Sequence, residues 1–243
     1  MNIDILLNDF AIRSFRDIGD GDYIAARLAF RAQLIPQFLW SSLQAIEKYL
    51  KCILVLNRIP APKTHDLVKL LHKLQQDNKK FTLQLTNKTN EFLCELDTSA
   101  KYRYYEASYC TFSKAIISLD QTVWEIRRYA RVLDYDVTDT QGKKINLLEH
   151  ELKINENAAK FTPHKFQILG GRLESIIAKT DHPSREPLLW QNAFFGCKPR
   201  KTVKIPGRME AGNSPLYLHP EILNEVLKYV YLSKDVIQAY RNA

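Results

Sequence analysis

The amino-acid sequence predicts an all-α protein, with an antiparallel helical bundle over residues 1–135 and a mainly helical extension over residues 136–243. The first reason is periodicity, because apolar residues recur every three or four positions in most segments, as in helices that bury one face. The second is that strand signals are nearly absent from the first part, where short links join successive helices. A content of 45% hydrophobic and 26% charged residues supports a real core and excludes a disordered or low-complexity chain.

Three helices are predicted at the start of the bundle. Asp22 is expected to cap the first helix, and Pro36 is expected to open the second, because proline is tolerated in a first turn. After a short proline-containing link, Thr64 is expected to cap the third helix. The apolar faces of the second and third helices are Leu39, Leu43, Ile46, Leu50 and Ile53, and then Leu67, Leu70, Leu71 and Leu74.

Two more helices complete the predicted bundle. One covers residues 83–96 and has a weaker apolar face. The other is long, from Thr111 to Leu133, and its apolar seam requires a helical neighbour. That seam consists of Ile116, Leu119, Val123, Ile126, Ala130 and Leu133.

The extension is less regular. Residues 134–144 are polar and read as a linker, after which Pro163 is expected to open a helix that continues past Gly170 to Ile177. Pro220 is expected to open a terminal helix. Residues 181–219 are proline-rich and are predicted to form an irregular loop, whose basic residues are Lys198, Arg200, Lys201, Lys204 and Arg208.

Charge and composition limit the function only broadly. The net charge of +8 favours anionic partners such as nucleic acid or nucleotides, but it is too small to identify one. The first residues lack the basic start and apolar stretch of a secretory signal, and the longest apolar run, Cys52–Leu56, is far too short for a membrane span. The four cysteines contain no CxxC pair. We therefore expect a cytoplasmic protein with reduced thiols and no membrane partner.

Two short motifs lie on either side of the link that joins the second and third helices. The first has the form A-x-E-K-x-L-K and the second reads T-H-D-L. In this order and at this separation, they resemble the HEPN family (higher eukaryote and prokaryote nucleotide-binding), over roughly residues 22–135. The matching residues are Ala45, Glu47, Lys48, Leu50 and Lys51, followed by Thr64, His65, Asp66 and Leu67.

The resemblance implies a HEPN-like antiparallel bundle that forms a homodimer and binds or cuts RNA, or associates with a separate nucleotidyltransferase. It also implies a place in a toxin–antitoxin or other defence system, with an antitoxin as a further partner. Nuclease members have an Arg followed within a few residues by a His. Arg103 lies in the place of that Arg, but no His follows it through Cys110. Because attack by an RNA 2′-hydroxyl needs a base and an acid, this departure favours binding over metal-independent cleavage.

The predicted site therefore combines residues from both motifs with the Arg103 region. Arg103 could hold a phosphate through bidentate hydrogen bonds, whereas Tyr109 is a weak candidate for the base because a phenol has an ordinary pKa of about 10. The alternative is an endoribonuclease in which Tyr109, His65 or a group from the C-terminal segment replaces the missing His. A non-catalytic interaction module is another. The residues implied for RNA or nucleotide binding are Glu47, Lys48, Lys51, His65, Asp66 and Arg103.

Simpler interpretations of the same residues stay open. Glu47 and Lys51 could form only an exposed pair four residues apart, and Thr64 with Asp66 could be only a helix start. Arg103 could simply stack on a neighbouring tyrosine. Basic side chains at positions 127, 128 and 131 share one side of the long helix and could contact phosphate or form a solvated face.

Neither a metal nor another cofactor is expected. His65 and His72 are seven residues apart, which is not the spacing that places two ligands on adjacent helical turns. His150 and His164 have no nearby cysteine. The sequence contains no P-loop and no G-x-G-x-x-G motif, so a nucleotidyltransferase would be a separate protein.

Overall fold

A computed structural model describes residues 2–99, 108–161, 163–200, 202–207 and 209–241. The helices of the first part are α1 (Ile3–Ala11), α2 (Asp17–Arg31), α3 (Ile35–Leu56), α4 (Leu67–Asp77), α5 (Asn87–Ser99) and α6 (Ala115–Arg127). A π turn, Ile12–Arg16, joins α1 to α2 without a break. Strand β1, Tyr109–Phe112, precedes α6.

The extension begins with the hairpin of β2 (Asp136–Thr138) and β3 (Lys144–Asn146). There follow α7 (Leu148–Phe161), α8 (Arg172–Ala178), α9 (Arg185–Leu189), β4 (Met209–Gly212), α10 (Pro215–Leu218), α11 (Leu223–Val226) and α12 (Lys234–Arg241). Strand β4 pairs with β1 in antiparallel register, with Thr111 opposite Glu210. The all-α prediction is confirmed, because the strands of the described residues form only these two short pairs.

Asp22 does not cap the first helix, because the helical segment starts about twenty residues earlier, at Ile3. Asn2 caps it, since its side-chain oxygen accepts from the Asp4 backbone N–H at 2.9 Å. The helix continues through Gly19 and Gly21 for a tertiary reason. A Cβ at Gly19 would lie 3.2 Å from the Ala45 carbonyl oxygen, so this glycine permits close packing of α2 on α3.

Helix α3 confirms the predicted stripe. Its five apolar positions are all at most 4% exposed, and each such side chain contributes about 1.5–3 kcal/mol to folding. Residues 32–34 separate α2 from α3, and the two helices pack along each other. Helix α3 thus packs against both α2 and α4, and the candidate site lies on or next to these three helices.

Several predicted boundaries within the bundle were wrong. Asp66, and not Thr64, caps α4, because its Oδ1 accepts from the Lys69 backbone N–H at 2.7 Å. The fourth helix begins at Asn87 instead of residue 83. The long helix expected from Thr111 is replaced by β1 and a shorter α6 that ends at Arg127, because β4 of the extension pairs with this segment.

The helices of the extension also differ from expectation. Gly170 adopts φ +67°, which ends any continuous helix from Pro163, and α8 starts only at Arg172. The terminal segment is divided into a 3₁₀ turn at Pro220–Ile222 and the separate helices α11 and α12. Residues 181–219 contain α9, β4 and α10, and α7 was not predicted.

Buried ion pairs join the extension to the bundle. Arg127 donates to both carboxylate oxygens of Asp20 at 2.6 and 2.8 Å and to both of Glu174 at 2.8 Å. Arg27 is paired with Asp120 in the same interior. Since Glu174 belongs to α8, the bundle and the extension share one polar interior.

The apolar core is also shared. Ala158, Leu173, Ile176, Leu188 and Phe195 of the extension belong to the same buried cluster as α3. A separate small cluster holds the end of the chain together and consists of Leu216, Leu223, Leu232 and Val236. No helix within the described ranges is long and apolar enough to cross a membrane.

Candidate functional site

The two sequence motifs meet at the carboxylate of Glu47. Its Oε1 accepts from Lys51 Nζ at 2.7 Å, and its Oε2 lies 2.8 Å from His65 Nδ1. Gln44 Nε2 donates to the same Oε2 at 3.3 Å. We call Gln44, Glu47, Lys48, Lys51 and His65 the Glu47 cluster.

Lys51 connects α3 to the loop that precedes α4. Besides its ion pair with Glu47, its Nζ donates to the Thr64 carbonyl oxygen at 3.0 Å. Because Glu47 is buried and Lys51 is largely covered, this pair is not the exposed pair that sequence spacing alone allowed. It holds the residue before His65 in place.

His65 is the most accessible member of the cluster. Its side chain is 65% exposed although Nδ1 is held by Glu47. Among the described residues, no contact occupies Nε2, so this nitrogen is open to solvent or a ligand. The Trp40 ring lies with its centroid 6.0 Å from that of His65 and adds an aromatic face.

Local hydrogen bonds explain why the chain presents His65 in this way. Thr64 Oγ1 accepts from the Asp66 backbone N–H at 3.1 Å, and Asp66 caps α4. The Leu67 backbone N–H donates to Asp97 Oδ1 of α5 at 2.8 Å. The T-H-D-L segment is therefore fixed on both sides of His65, and Asp66 has a structural role as a helix cap.

The cluster is close to electrical neutrality. Lys48 Nζ lies 2.6 Å from Asp22 Oδ2 and donates to Gln44 Oε1 at 3.1 Å, so both lysines have acidic partners. Glu47 and Asp66 provide further negative charge. Phosphate binding here would have to replace or share these ion pairs, because the cluster does not present free cations.

The two predicted catalytic residues are placed differently. Arg103 lies outside the described residues. Tyr109 starts β1, opposite Gly212 of β4, and packs against the main core, whereas the Glu47 cluster lies between α3 and the start of α4.

The predicted basic face at positions 127, 128 and 131 is wrong. Arg127 and Arg128 are both 2% exposed, and Arg131 is paired with Glu151 of α7. The guanidinium of Arg128 lies 4.4 Å from the centroid of the Trp124 ring. Arg127 and Arg128 are therefore not accessible to RNA in the folded protein, and Arg131 is engaged by Glu151.

The basic loop keeps exposed cations. Lys198, Arg200 and Lys204 are exposed, and Arg200 donates to Gln191 Oε1 at 2.9 Å. Lys201 and Arg208 fall outside the part of the chain that the structure describes. No group of three or more potential metal ligands occurs among the described residues.

Sequence reasoning missed three contributors to the site. Trp40 and Gln44 occupy the same helical face as Glu47 and Lys51, so a period of three to four residues could have found them. Asp22 was interpreted as a helix cap because acidic residues favour that position. Its actual partner, Lys48, is 26 residues away in sequence.

Comparison with known proteins supports one family. The family model described as HEPN domain matches residues 12–133, which is about half of the chain. No curated protein and no solved structure matches. The matched range contains both motifs and ends before the linker at residue 134.

Proposed function

The chain belongs to the HEPN domain family, and from this premise we propose that it binds RNA or a nucleotide at the Glu47 cluster. The observation that carries the proposal is the contact of both motifs at one buried carboxylate, which leaves an imidazole exposed. Arg103 is the phosphate ligand that the family motif implies.

Each member of the site has a distinct role in this proposal. Glu47 orients the imidazole, Lys51 holds the loop, and His65 offers Nε2 to the ligand. Trp40 provides a face on which an unpaired base can stack, and single-stranded RNA is recognised in this way by many proteins. Lys48 can exchange its Asp22 contact for a phosphate.

The ion pairs lead to a quantitative expectation. If only Lys48 and Arg103 neutralise phosphates, about two contacts form, and the affinity for single-stranded RNA should fall with salt with a log–log slope of about −1.4. A slope several times steeper would mean that an extended basic surface binds the RNA instead.

Fluorescence anisotropy with a labelled single-stranded RNA tests the site. We expect His65→Ala and Arg103→Ala each to weaken binding about tenfold or more, since each removes a hydrogen bond to the ligand. Lys51→Gln should also weaken RNA binding, because Lys51 holds the loop that presents His65. Its matched control is Lys73→Gln, which should not, because Lys73 forms the same kind of pair with Asp77 four residues further along α4. Equal binding by all four variants and the wild type would refute the proposal.

Metal-independent RNA cleavage is a second candidate function, favoured by the 2.8 Å contact between Glu47 and His65. A carboxylate that orients an imidazole is a common arrangement for a general base. His65 would take the proton of the 2′-hydroxyl, whose oxygen attacks phosphorus to give a 2′,3′-cyclic phosphate as the bond to the 5′-oxygen breaks. A water molecule would give a proton to that leaving oxygen. Arg103 would stabilise the charge on the phosphate.

Incubation of mixed RNA with the protein and a chelator tests cleavage. The matched control is His72→Ala, because His72 is an exposed histidine of α4 that contacts only Gln76 among the described residues. We expect His65→Ala and Glu47→Gln to abolish cleavage and His72→Ala to preserve it. Intact RNA with the wild-type protein excludes this second function and leaves the binding proposal standing.

We further propose that the protein is a homodimer and that α1 provides the contact. This helix exposes Ile3, Leu6, Leu7 and Phe10. Asp9 and Arg13 flank the apolar face, so a second copy in antiparallel orientation would offer charges of opposite sign. A toxin–antitoxin or other defence role with a separate antitoxin or nucleotidyltransferase partner, and a cytoplasmic location, remain predictions, as does the alternative of an interaction module without nucleic-acid affinity.

A further inference from the structure

A pocket of about 330 Å³ lies where the bundle meets the extension and shares no residue with the Glu47 cluster. Three aromatic residues line it, Phe30 from α2, Phe112 from β1 and Trp190 after α9. Ile35 and Pro206 add apolar surface. This volume is at the lower end of the range for small-molecule sites. Together with the aromatic side chains, it favours a small flat ligand.

Two polar side chains stand next to each other in the wall of this pocket. Thr111 and Glu210 are direct partners in the β1–β4 ladder, so their side chains lie on the same face of the sheet. Thr111 is 2% exposed, and its hydroxyl has no hydrogen-bond partner in the part of the chain that the structure describes. A buried hydroxyl in this state is costly, and such groups are usually satisfied in folded proteins.

The charges around the pocket favour a ligand that donates hydrogen bonds. The guanidinium of Arg31 is paired with Glu186 and lies 5.1 Å from the centroid of the Trp190 ring, so it is already engaged. Among the described residues, nothing pairs with the Glu210 carboxylate. An anion would meet this carboxylate, whereas an amino or amidinium group could bind it.

We propose that the pocket binds a planar aromatic amine or amidine without a phosphate group, with the ring against Phe30 and Trp190 and the nitrogen at Glu210 and Thr111.

Isothermal titration with benzamidine and benzoate tests the charge preference, because the two probes share a ring and carry opposite charges. We expect benzamidine to bind at least tenfold more tightly than benzoate. Glu210→Gln should reduce that preference to less than about threefold. Adenine and AMP test the phosphate, and adenine should bind more tightly than AMP.

Thr111→Val separates binding from folding. Valine has the same shape without the unpaired hydroxyl, so the variant should keep or raise the midpoint of thermal unfolding while weakening benzamidine binding several-fold. Thr138→Val, at an exposed strand threonine, is the control and should leave binding unchanged. The proposal would be overturned if benzamidine did not bind, if benzoate bound equally well, or if AMP bound more tightly than adenine. It would also be overturned if both Thr111→Val and Glu210→Gln left the benzamidine affinity unchanged.

Discussion

Replacement of Arg127 by methionine tests the buried ion pairs that join the bundle to the extension. The side chain of Arg127 is 2% exposed and makes four hydrogen bonds, two to Asp20 and two to Glu174. Methionine has a similar length, so the main effect is the loss of the cation. Two carboxylates then remain in the interior without compensation.

The expected loss is about 3–5 kcal/mol in the free energy of unfolding, which is the usual cost of removing one partner from a buried pair. Lys228→Met is the control, because Lys228 lies 2.6 Å from Glu225 with 63% of its side chain exposed. Exposed pairs contribute about 0–1 kcal/mol, so this change should alter stability by about 0.5 kcal/mol or less.

The dependence on pH provides a second test with a definite sign. Burial opposes ionisation of Glu174, but the neighbouring Arg127 outweighs burial and lowers the pKa of this carboxyl below its ordinary value. In the wild type, the stabilisation is present above about pH 4.3 and is lost as pH falls through the lowered pKa. In Arg127→Met, burial dominates, so stability should instead rise as pH falls from 7 towards 5.

Urea denaturation followed by circular dichroism measures both effects. A loss below about 1 kcal/mol for Arg127→Met, or stability that falls from pH 7 to 5 in that variant, would refute the assignment of Arg127 to a buried network. Equal losses for Arg127→Met and Lys228→Met would lead to the same conclusion.

Three further predictions concern packing, thiol reactivity and assembly. In thermal or urea unfolding, Gly19→Ala should lower the free energy of unfolding by about 1–2 kcal/mol. Gly21→Ala, whose Cβ would meet nothing within 4 Å, should raise it by about 0.5–1 kcal/mol. Equal effects of the two substitutions would contradict the close approach of Gly19 to α3. Burial raises the pKa of Cys52 to about 12. A thiol reagent at mildly basic pH should therefore label Cys52 only after unfolding but label the other three cysteines promptly. Fast labelling of all four would be inconsistent with this burial. Light scattering should find a dimer for the wild type and a monomer for Phe10→Asp, and a monomeric wild type would exclude the proposed α1 contact.

The parts of the fold that could be predicted are those with local signals. The stripe of α3 follows from periodicity alone, and all of its apolar positions are buried. The start of the first helix could not be predicted in this way, because the segment around Gly19 and Gly21 resembles a turn. It stays helical because Asp20 accepts from Tyr49 at 2.7 Å and from Arg127, which are distant in sequence.

The same distinction applies to the candidate site. Glu47 and His65 belong to the two motifs that the sequence singled out, and the contact between them is 2.8 Å. The basic face was wrong because the partner of Arg127 on α2 lies 107 residues away, and a charge pattern on one helix contains no information about such a partner. Strand β1 was missed because its partner belongs to the extension.

The π turn at Ile12–Arg16 affects how the N-terminal helix can be changed by insertion or deletion. Such a turn adds about one residue to the helical turn, and one residue corresponds to a rotation of about 100° in an α-helix. Deletion of a single residue here would therefore rotate the apolar face of α1 by about that angle relative to α2 without changing the composition of either helix. The direction in which the face of α1 points is thus encoded by chain length in this short segment, separately from the residues that form the face.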